Sequence, residues 1–372
     1  MRPQAEAIID LDAYRSNLAT LAAAAPGAAL MAVVKADAYG HGLIPIGRAA
    51  RQAGTPWLGV ATIDEAKVLR RAGDQGHILC WLAAPGAAFG EAIDHGIEVT
   101  ASSVAQLGEI VAAGQGRRVR VQLKVDTGLS RNGAAGAEWS ALVEAAVVAQ
   151  RTQSIDVTGI WSHFACSDEP DHPANAGQEQ AFEAAVSFAR ASGLEPRVVH
   201  LSNSAALLTR PSAHYDLVRA GIATYGISPA PEVDRTFGLR PVMTLRGTLA
   251  SVKRVPAGTG VSYGHTFITE RETTLGLVPL GYGEGILRSA SNAGPVQVGS
   301  TRARIAGRVC MDQFVIDLGD SVAVAGDDAV LFGPGDRGEP TAQDWAEAAG
   351  TIAYEVVTRL GGRIVRTYRG DR

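Results

Sequence analysis

The stretch LMAVVKADAYGHG, residues 30–42, decides how the chain is interpreted. Its first five residues form an unbroken aliphatic run, the pattern of a strand that is buried on both faces. Lys35 follows directly, so a basic side chain stands at the C-terminal end of a buried strand. In α/β barrels this end carries the active site, and partial burial there makes a lysine amine available as a nucleophile or base. The alternative is that Lys35 has no chemical role: its aliphatic stem packs at the strand end, and its charged group reaches solvent.

Seven further aliphatic or β-branched runs follow this one, and amphipathic helical stretches separate them. The eight runs cover residues 30–34, 57–62, 78–82, 97–100, 119–125, 157–163, 197–201 and 217–223. Eight strand–helix units within roughly 220 residues predict an α/β fold, a (β/α)8 barrel of the TIM type over residues 11–234. A doubly wound open sheet is the alternative, and it is weakened because no GxGxxG follows the first run.

The pattern changes after residue 234, where strand-like runs follow one another without long helices. These runs are 243–255, 274–280, 295–298, 303–309 and 314–318. They predict a mainly antiparallel β domain over residues 235–372, and we expect an N-terminal strand at 1–10 to join it. Helix starts are predicted at Asp64, at Ser102 or Ser103, and at Thr341, because these side chains are good helix caps.

Composition excludes several classes of protein. The 372 residues carry 34 Lys and Arg against 38 Asp and Glu, without a basic run, so we expect no nucleic-acid partner. The apolar stretch 18–34 is interrupted at Pro26 and preceded by acidic residues, so it predicts neither a signal peptide nor a membrane helix. Three widely spaced cysteines predict no disulfide framework and a cytoplasmic location.

Residues that carry chemistry follow the later strands as well. KVDTGLSRNG places Lys124 and Arg131 after the fifth run, and His163 ends the sixth. After the seventh run, Ser204 offers a hydroxyl at a helix N-terminus, where it would meet a phosphate or act as a plain cap. After the eighth run, Gly221 lets the backbone approach a phosphate closely, and barrels frequently bind phosphate at these two strand ends.

The string VVKADAYGHG around Lys35 is similar to the lysine motif of the bacterial alanine racemases, a pyridoxal-phosphate family of fold type III. Further matching segments, such as GVSYGH at 260–265, occur in matching order along nearly the whole chain. The resemblance implies an N-terminal barrel, a C-terminal β domain and an isomerase that interconverts L- and D-alanine. It also implies a homodimer with shared active sites, whose D-alanine supplies peptidoglycan.

The resemblance also implies the roles of individual residues. Lys35 holds pyridoxal 5'-phosphate as a Schiff base, and alanine replaces Lys35 to form an external aldimine. Lys35 and Tyr263 of the partner subunit are the two bases, since inversion at carbon needs a base on each face. The implied cofactor-binding residues are Lys35, Tyr39, Arg131, His163, Asn203, Ser204, Arg219, Gly221, Ile222 and Tyr354. The implied substrate-binding residues are Arg131, Cys310, Met311 and Asp312.

Two of these matches carry a physical consequence. Arg219 corresponds to the residue that faces the pyridine nitrogen, and an arginine does not give up its proton, so that nitrogen stays largely unprotonated. The ring is then a weaker electron sink, which favours racemisation over transamination. A tyrosine base needs positive neighbours that stabilise its phenolate, and His163 and Arg219 are the expected neighbours of Tyr263.

Several interpretations stay open. Lys124 matches a position that is often carbamylated in the family, but an ordinary salt bridge would also explain it. Asp168, Glu169 and His172 lack the spacing of a metal site, so we expect a solvated loop and no metal. A racemase of broader specificity and a pyridoxal-phosphate carrier without turnover are the functional alternatives. The β domain with Tyr263 favours an enzyme, and Arg219 disfavours a decarboxylase, which usually offers the ring nitrogen an acidic group.

Overall fold

The computed structural model describes residues 3–371. Residues 1 and 2 of the predicted N-terminal strand, and residue 372 of the predicted β domain, lie outside the described residues. Within the described range, one eight-stranded parallel sheet is followed by a nine-stranded, mostly antiparallel sheet. The predicted fold class, a parallel barrel followed by a mainly antiparallel β region, is therefore confirmed.

The barrel alternates strands with helices in the order that the periodicity predicts. Its strands are β2 (Ala29–Val33), β3 (Trp57–Val60), β4 (His77–Cys80), β5 (Glu98–Ala101), β6 (Val119–Lys124), β7 (Ile155–Trp161), β8 (Val198–His200) and β9 (Leu217–Ala220). Its helical segments are α1 (Leu11–Ala24), α2 (Lys35–Tyr39), α3 (Leu43–Gln52), α4 (Ile63–Arg71), α5 (Phe89–Asp94), α6 (Val104–Gly114), α7 (Ala137–Arg151), α8 (Ala174–Ala191) and α9 (Ser204–Thr209). Each of the eight predicted runs thus overlaps a barrel strand.

The barrel strands pair in the order β8-β7-β6-β5-β4-β3-β2-β9, all in parallel. Two backbone hydrogen bonds bring β8 and β9 together, from Asp216 N to Val199 O and from Arg219 N to Ser202 O, both at 3.1 Å. The C-terminal ends of all eight strands therefore open at one end of the barrel.

The second sheet takes strands from both ends of the chain. Its strands are β1 (Ala5–Asp10), β10 (Met243–Thr248), β11 (Ser251–Val255), β14 (Thr273–Val278), β15 (Pro295–Val298), β16 (Thr301–Ile305), β17 (Phe314–Gly319), β18 (Asp328–Phe332) and β19 (Val365–Arg369). The pair β12 (Gly260–Val261) and β13 (Phe267–Ile268) forms a separate ribbon, and α10 (Ala342–Ala349) and α11 (Ala353–Thr358) are the helices. β1 pairs antiparallel with β10 and parallel with β19, so the first and last strands are neighbours.

The structure corrects three details of the sequence analysis. Helix α4 is capped by Thr62 rather than Asp64, because Thr62 and Glu65 form a reciprocal capping box. The predicted run 243–255 is two strands, β10 and β11, and strands β18 and β19 were not predicted. The caps at Ser103 and Thr341 are confirmed, and no helix of residues 3–371 is long and apolar enough to span a membrane.

Asn17 ties the first helix to the junction between the two sheets. Its side chain is buried, donates to Thr224 O at 3.1 Å and to Arg240 O at 2.8 Å, and accepts from Arg240 N at 2.9 Å. The approach is close, because a Cβ on Gly226 would lie only 1.7 Å from Arg240 O. A buried amide that makes three backbone contacts fixes where the chain leaves the barrel.

We expect Asn17→Ala to lower the free energy of unfolding by about 2–4 kcal/mol, since it leaves buried backbone groups without partners. Urea denaturation of the full chain measures the change. Thr20→Ala on the same helix is the control, because Thr20 is exposed and bonds only to Ser16 O. An equal loss for both variants would contradict the proposed role of Asn17.

Candidate active site

A cavity of about 1140 Å³ opens at the C-terminal ends of the barrel strands. It contains ten of the residues predicted to bind a cofactor or substrate, together with Lys124. The ten are Lys35, Tyr39, Arg131, His163, Asn203, Ser204, Arg219, Gly221, Ile222 and Tyr354. Parallel strands bring these residues together, although nearly 320 positions separate the first from the last.

Lys35 begins the segment that follows β2, and its side chain faces the cavity. Burial lowers the pKa of its amine from the ordinary value of 10.5, and the positive charge of Arg131 lowers that pKa further, while Glu65 opposes the shift. A lowered pKa leaves more of the amine neutral, and the neutral form is the nucleophile. The site thus prepares Lys35 for covalent chemistry.

The backbone after Lys35 makes one turn of left-handed helix. The four residues Ala36–Tyr39 all have φ between 52° and 55°, which costs L-residues about 1–2 kcal/mol each. Glu65 Oε1 accepts a hydrogen bond from the first amide of this turn at 2.6 Å, and Asp37 Oδ1 accepts one from Leu43 N at 2.7 Å. Strain of this kind persists only where the surroundings hold it, and it is typical of functional sites.

The cavity is rich in positive charge. Lys35, Lys124, Arg131 and Arg219 line it together. Two carboxylates, Glu109 and Asp126, also line it. Asp126 Oδ1 accepts three backbone amides of residues 128–130 at 2.9 to 3.1 Å and so shapes the loop that presents Arg131. A concave surface with this excess of positive charge favours an anionic ligand.

Arg219 is the best-anchored of these cations. Its guanidinium donates to Ser162 O at 2.8 Å and to Leu201 O, His163 Nδ1 and His200 Nδ1, each at 3.0 Å. Burial, reinforced by Arg131, lowers the pKa of Arg219 to about 9. Burial first, and Arg219 second, lower the pKa of both histidines well below 6.5, so both are neutral. His200 lies in the predicted run 197–201, but no signal in the sequence pointed to its contact with Arg219.

Hydroxyl groups and backbone amides lie close together at the C-terminal ends of β8 and β9. Ser204 Oγ accepts from Gly221 N at 2.8 Å, so the two strand ends are joined directly. The cap of helix α9 is Asn203, which accepts from Ala206 N at 3.0 Å, and therefore Ser204 is not the cap. A Cβ on Gly221 would lie 2.5 Å from Tyr39 Oη, so any side chain there would displace the Tyr39 hydroxyl. This end of the cavity offers hydroxyls and amides of the kind that bind phosphate.

Lys124 ends β6 inside the cavity and is buried. Its Nζ lies 4.2 Å above the centre of the Trp161 ring, and no ion pair joins it to a carboxylate within residues 3–371. The described residues thus show no partner for the ordinary salt bridge considered for Lys124, and its carbamylation stays a prediction. Burial, then the charges of Arg219 and Arg131, lower the pKa of Lys124 to about 7, so much of the amine is neutral at physiological pH.

The remaining predicted residues lie on the β domain, away from this cavity. Tyr263 is 72% exposed, and Met311 is 55% exposed. Cys310 lies beside this tyrosine's loop, with its Sγ 3.5 Å from Ser262 Oγ, and Asp312 pairs with Arg363 at 2.7 Å. In the described part of one chain, no hydrogen bond joins Tyr263 to His163 or Arg219. The structure therefore brings Tyr263 close to the segment Cys310–Asp312, but neither lines the cavity that holds Lys35 of the same chain.

Acidic residues outside the cavity are structural or face solvent. Glu284 is buried, accepts from Gly281 N at 2.9 Å and pairs with Arg363, so it shapes the turn at residues 281–285. Asp168 and Glu169 are exposed, as expected of a solvated loop. Across residues 3–371, no group of three or more His, Cys, Asp or Glu side chains is arranged to hold a metal ion.

Comparison with known proteins gives a consistent result. The model of the family "Alanine racemase, N-terminal domain" matches residues 9–229, and "Alanine racemase, C-terminal domain" matches residues 242–368. The chain is 56% identical to alanine racemase from Thermobifida fusca over 368 residues, which cover 98% of each chain. It is also 56% identical to the Streptomyces coelicolor alanine racemase over 374 residues, covering 98% of this chain and 96% of that one.

Solved structures show the same similarity. The Streptomyces lavendulae alanine racemase matches with a TM-score of 0.97 at 55% identity, covering 100% of this chain and 98% of that one. The Bartonella henselae alanine racemase, solved with covalently bound pyridoxal phosphate, matches with a TM-score of 0.89 at 28% identity, covering 99% of this chain and 100% of that one.

Proposed function

Because the chain belongs to the alanine racemase family, we propose that it is an isomerase that interconverts L- and D-alanine with pyridoxal phosphate as its cofactor. The observation that carries this proposal is the placement of the Lys35 amine in one cavity with Arg131, Arg219 and the polar groups around Ser204. A primary amine can bind an aldehyde covalently, and two guanidiniums and a group of hydroxyls and amides can bind a phosphate and other anionic groups. The pocket therefore fits a small aldehyde that carries a phosphate.

The residues of the cavity fit this cofactor group by group. The Lys35 amine would bind its aldehyde carbon, and Arg131 would face its phenolic oxygen. Arg219 would face the ring nitrogen and His163 the ring. Hydroxyls and amides of Tyr39, Asn203, Ser204, Gly221, Ile222 and Tyr354 would hold the phosphate. When bound, the cofactor supplies the electron sink that lets the substrate Cα release its proton.

Arg219 controls which reaction follows. Its four acceptors hold it in place, and its charge would disfavour protonation of the ring nitrogen of a bound cofactor. An unprotonated ring would be a weaker electron sink, which would favour racemisation over transamination.

The second base comes from another copy of the chain. Inversion at Cα requires Lys35 on one face and a base on the other, and Tyr263 does not reach Lys35 within its own chain. We place the exposed patch of Tyr263, Cys310, Met311 and Asp312 over the cavity of a partner subunit, which makes the protein a homodimer with two shared sites. Tyr263 then removes the proton from L-alanine, and Lys35 returns one from the opposite face.

Lys124 is proposed to carry a carbamate that pairs with Arg131. The support is the lowered pKa of its amine, about 7, and its position among cations without a carboxylate partner in the described chain. We expect 13C NMR with labelled bicarbonate to show a carbamate signal at pH 8 that declines at pH 6, since only the neutral amine reacts with CO2. Lys124→Met should lose the signal, and the exposed Lys253→Met should keep it. A signal that survives in Lys124→Met would contradict the assignment.

The remaining proposals concern the whole protein. We divide the chain into a barrel, 11–234, and a β domain, 235–372, and assign strand β1 to the β domain because it pairs with β10 and β19. We place the protein in the cytoplasm, where its D-alanine would supply peptidoglycan. Its three cysteines, Cys80, Cys166 and Cys310, are all thiols, as in a reducing compartment.

The decisive experiment measures D-alanine formation from L-alanine by the purified chain with pyridoxal phosphate, beside serine, lysine and arginine. Conversion restricted mainly to alanine is the expected result. Equal conversion of all four would indicate a broad amino-acid racemase. Cofactor binding without conversion of any of them would contradict the proposal and favour a carrier.

A further inference from the structure

The interior of the barrel is divided into an apolar half and a polar half. The apolar half is a cluster of Met31, Trp57, Leu79 and Leu217, from β2, β3, β4 and β9. The polar half consists of Glu98, Gln122, Thr158 and His200, from β5 to β8. All four polar side chains are buried, although barrel interiors are normally filled by branched apolar residues. Burying polar groups is costly unless they bond to one another.

These four side chains form one chain of hydrogen bonds that reaches the active site. Glu98 Oε2 accepts from Thr158 Oγ1 at 2.7 Å and from Gln122 Nε2 at 3.1 Å. Gln122 Oε1 lies 2.7 Å from His200 Nε2, and His200 Nδ1 lies 3.0 Å from Arg219 Nη1. A carboxylate deep in the barrel is thus linked to the arginine at the cavity.

Only one direction of proton donation satisfies all the hydrogen bonds between Arg219 and Glu98. Arg219 has donors and no acceptor, so His200 must accept through Nδ1 and carry its proton on Nε2. That proton is donated to Gln122 Oε1, so the Gln122 amide nitrogen must face Glu98. Glu98 is the final acceptor of these hydrogen bonds. Its Oε1 also lies 3.1 Å from His77 Nδ1, a third donor, and 3.9 Å from Arg120 Nη1.

The backbone is shaped around this chain. The register between β6 and β7 shifts at Val121/Gln122, and the extra residue, Thr158, turns its hydroxyl towards Glu98. Gly159 follows, and a Cβ there would lie 2.8 Å from Gln122 Cδ. The bulge and the glycine thus both make room for polar side chains inside the barrel.

We propose that Glu98 and Gln122 are positioning residues, which hold His200 in its Nε2–H form and thereby keep Arg219 aimed at the cofactor's ring nitrogen. The inference rests on the proposed function for the role of Arg219, but the hydrogen-bond chain itself does not depend on the cofactor. Without the Gln122 acceptor, His200 stays stacked on Trp161, but its Nε2–H has no partner, so the ring and the Arg219 nitrogen bonded to it are held less firmly.

The test compares Gln122→Met with Glu98→Gln. Gln122→Met removes the acceptor of the His200 proton. Glu98→Gln keeps a carbonyl oxygen facing Thr158 and Gln122, so each hydrogen bond between Arg219 and residue 98 keeps its donor and its acceptor. Leu79→Ala is the matched control, because it disturbs the apolar half of the same interior. Gly159→Ala serves as a second disruptive variant if Gln122→Met does not fold.

Two measurements separate positioning from general stability. In 15N-histidine NMR of the full chain, the slowly exchanging His200 Nε2–H signal should be present in the unaltered protein and in Glu98→Gln, and absent in Gln122→Met. With the cofactor bound, Gln122→Met should shift its visible absorption band and raise transamination relative to racemisation about tenfold, the effect of one buried hydrogen bond. Leu79→Ala should change neither readout.

The outcomes are distinct. If Gln122→Met keeps the His200 signal, the band and the reaction ratio, or if Glu98→Gln loses the signal, the proposal is wrong. If the unaltered chain does not racemise alanine, the proposed function fails, but the NMR signals still test the hydrogen-bond chain independently.

Discussion

Lys35→Ala is expected to lower the rate of racemisation by about 10⁴-fold or more, because one side chain supplies both the covalent attachment and one of the two bases. No nearby amine can replace it. Lys124 is the other lysine that lines the cavity, but its Nζ faces the Trp161 ring. The chain has only four lysines, and the other two are Lys67 and Lys253.

The measurement combines D-alanine formation with the visible absorption of the bound cofactor, whose covalent band should disappear in Lys35→Ala. Lys253→Ala is the control, since Lys253 is exposed on β11. Added methylamine should restore part of the band, because a free amine reproduces the covalent link. Activity within tenfold of the unaltered protein would show that Lys35 is neither the attachment point nor a base.

Mixed dimers give the second large effect. Lys35→Ala and Tyr263→Phe chains should each be nearly inactive alone, yet their mixture after joint refolding should regain about a quarter of normal activity. Half of the dimers then pair the two variants. Each of these has one site with Lys35 from one chain and Tyr263 from the other, and one site with neither.

The matched control is a double variant that carries Lys35→Ala and Tyr263→Phe in the same polypeptide. This double variant is mixed with the unaltered protein. Shared sites predict about a quarter of normal activity from that mixture, and sites contained within one chain predict about a half. Mass spectrometry of the intact assemblies should confirm that mixed dimers form. A mixture of the two single variants that stays inactive despite mixed dimers would show that Tyr263 does not act across an interface.

The barrel was predictable because each of its strands is a short apolar run with a helix after it. Strand β19 was not, since the charged sequence VRTYR has no apolar face and is a strand only because it pairs with β1. Thr62 and Asp64 are both favoured cap residues, and aspartate is the better of the two by composition. Glu65 decides between them, because it lies three residues after Thr62 and completes the capping box.

Site residues that belong to a sequence motif were predictable. Site residues that act only through contacts between distant strands were not. Lys35, Arg131 and Arg219 belong to motifs that point to one cavity. Glu98 and Gln122 are single polar residues in short strands, and such residues usually face solvent in a half-exposed strand. Only closure of the barrel turns these two side chains towards His200.

The pairing of β1 with β10 and β19 has a consequence for the order in which the protein forms on the ribosome. β1 is synthesised early, but it stays without a partner on either edge until residues beyond 240 emerge. At about 5–20 residues per second, β19 follows β1 by roughly 20–70 seconds. Both edges of β1 are open until β10 emerges, and one edge stays open until β19 follows, so the barrel is free to form before the β sheet is complete. A ribosome stalled before residue 365 would therefore present a chain in which one edge of β1 has no partner strand.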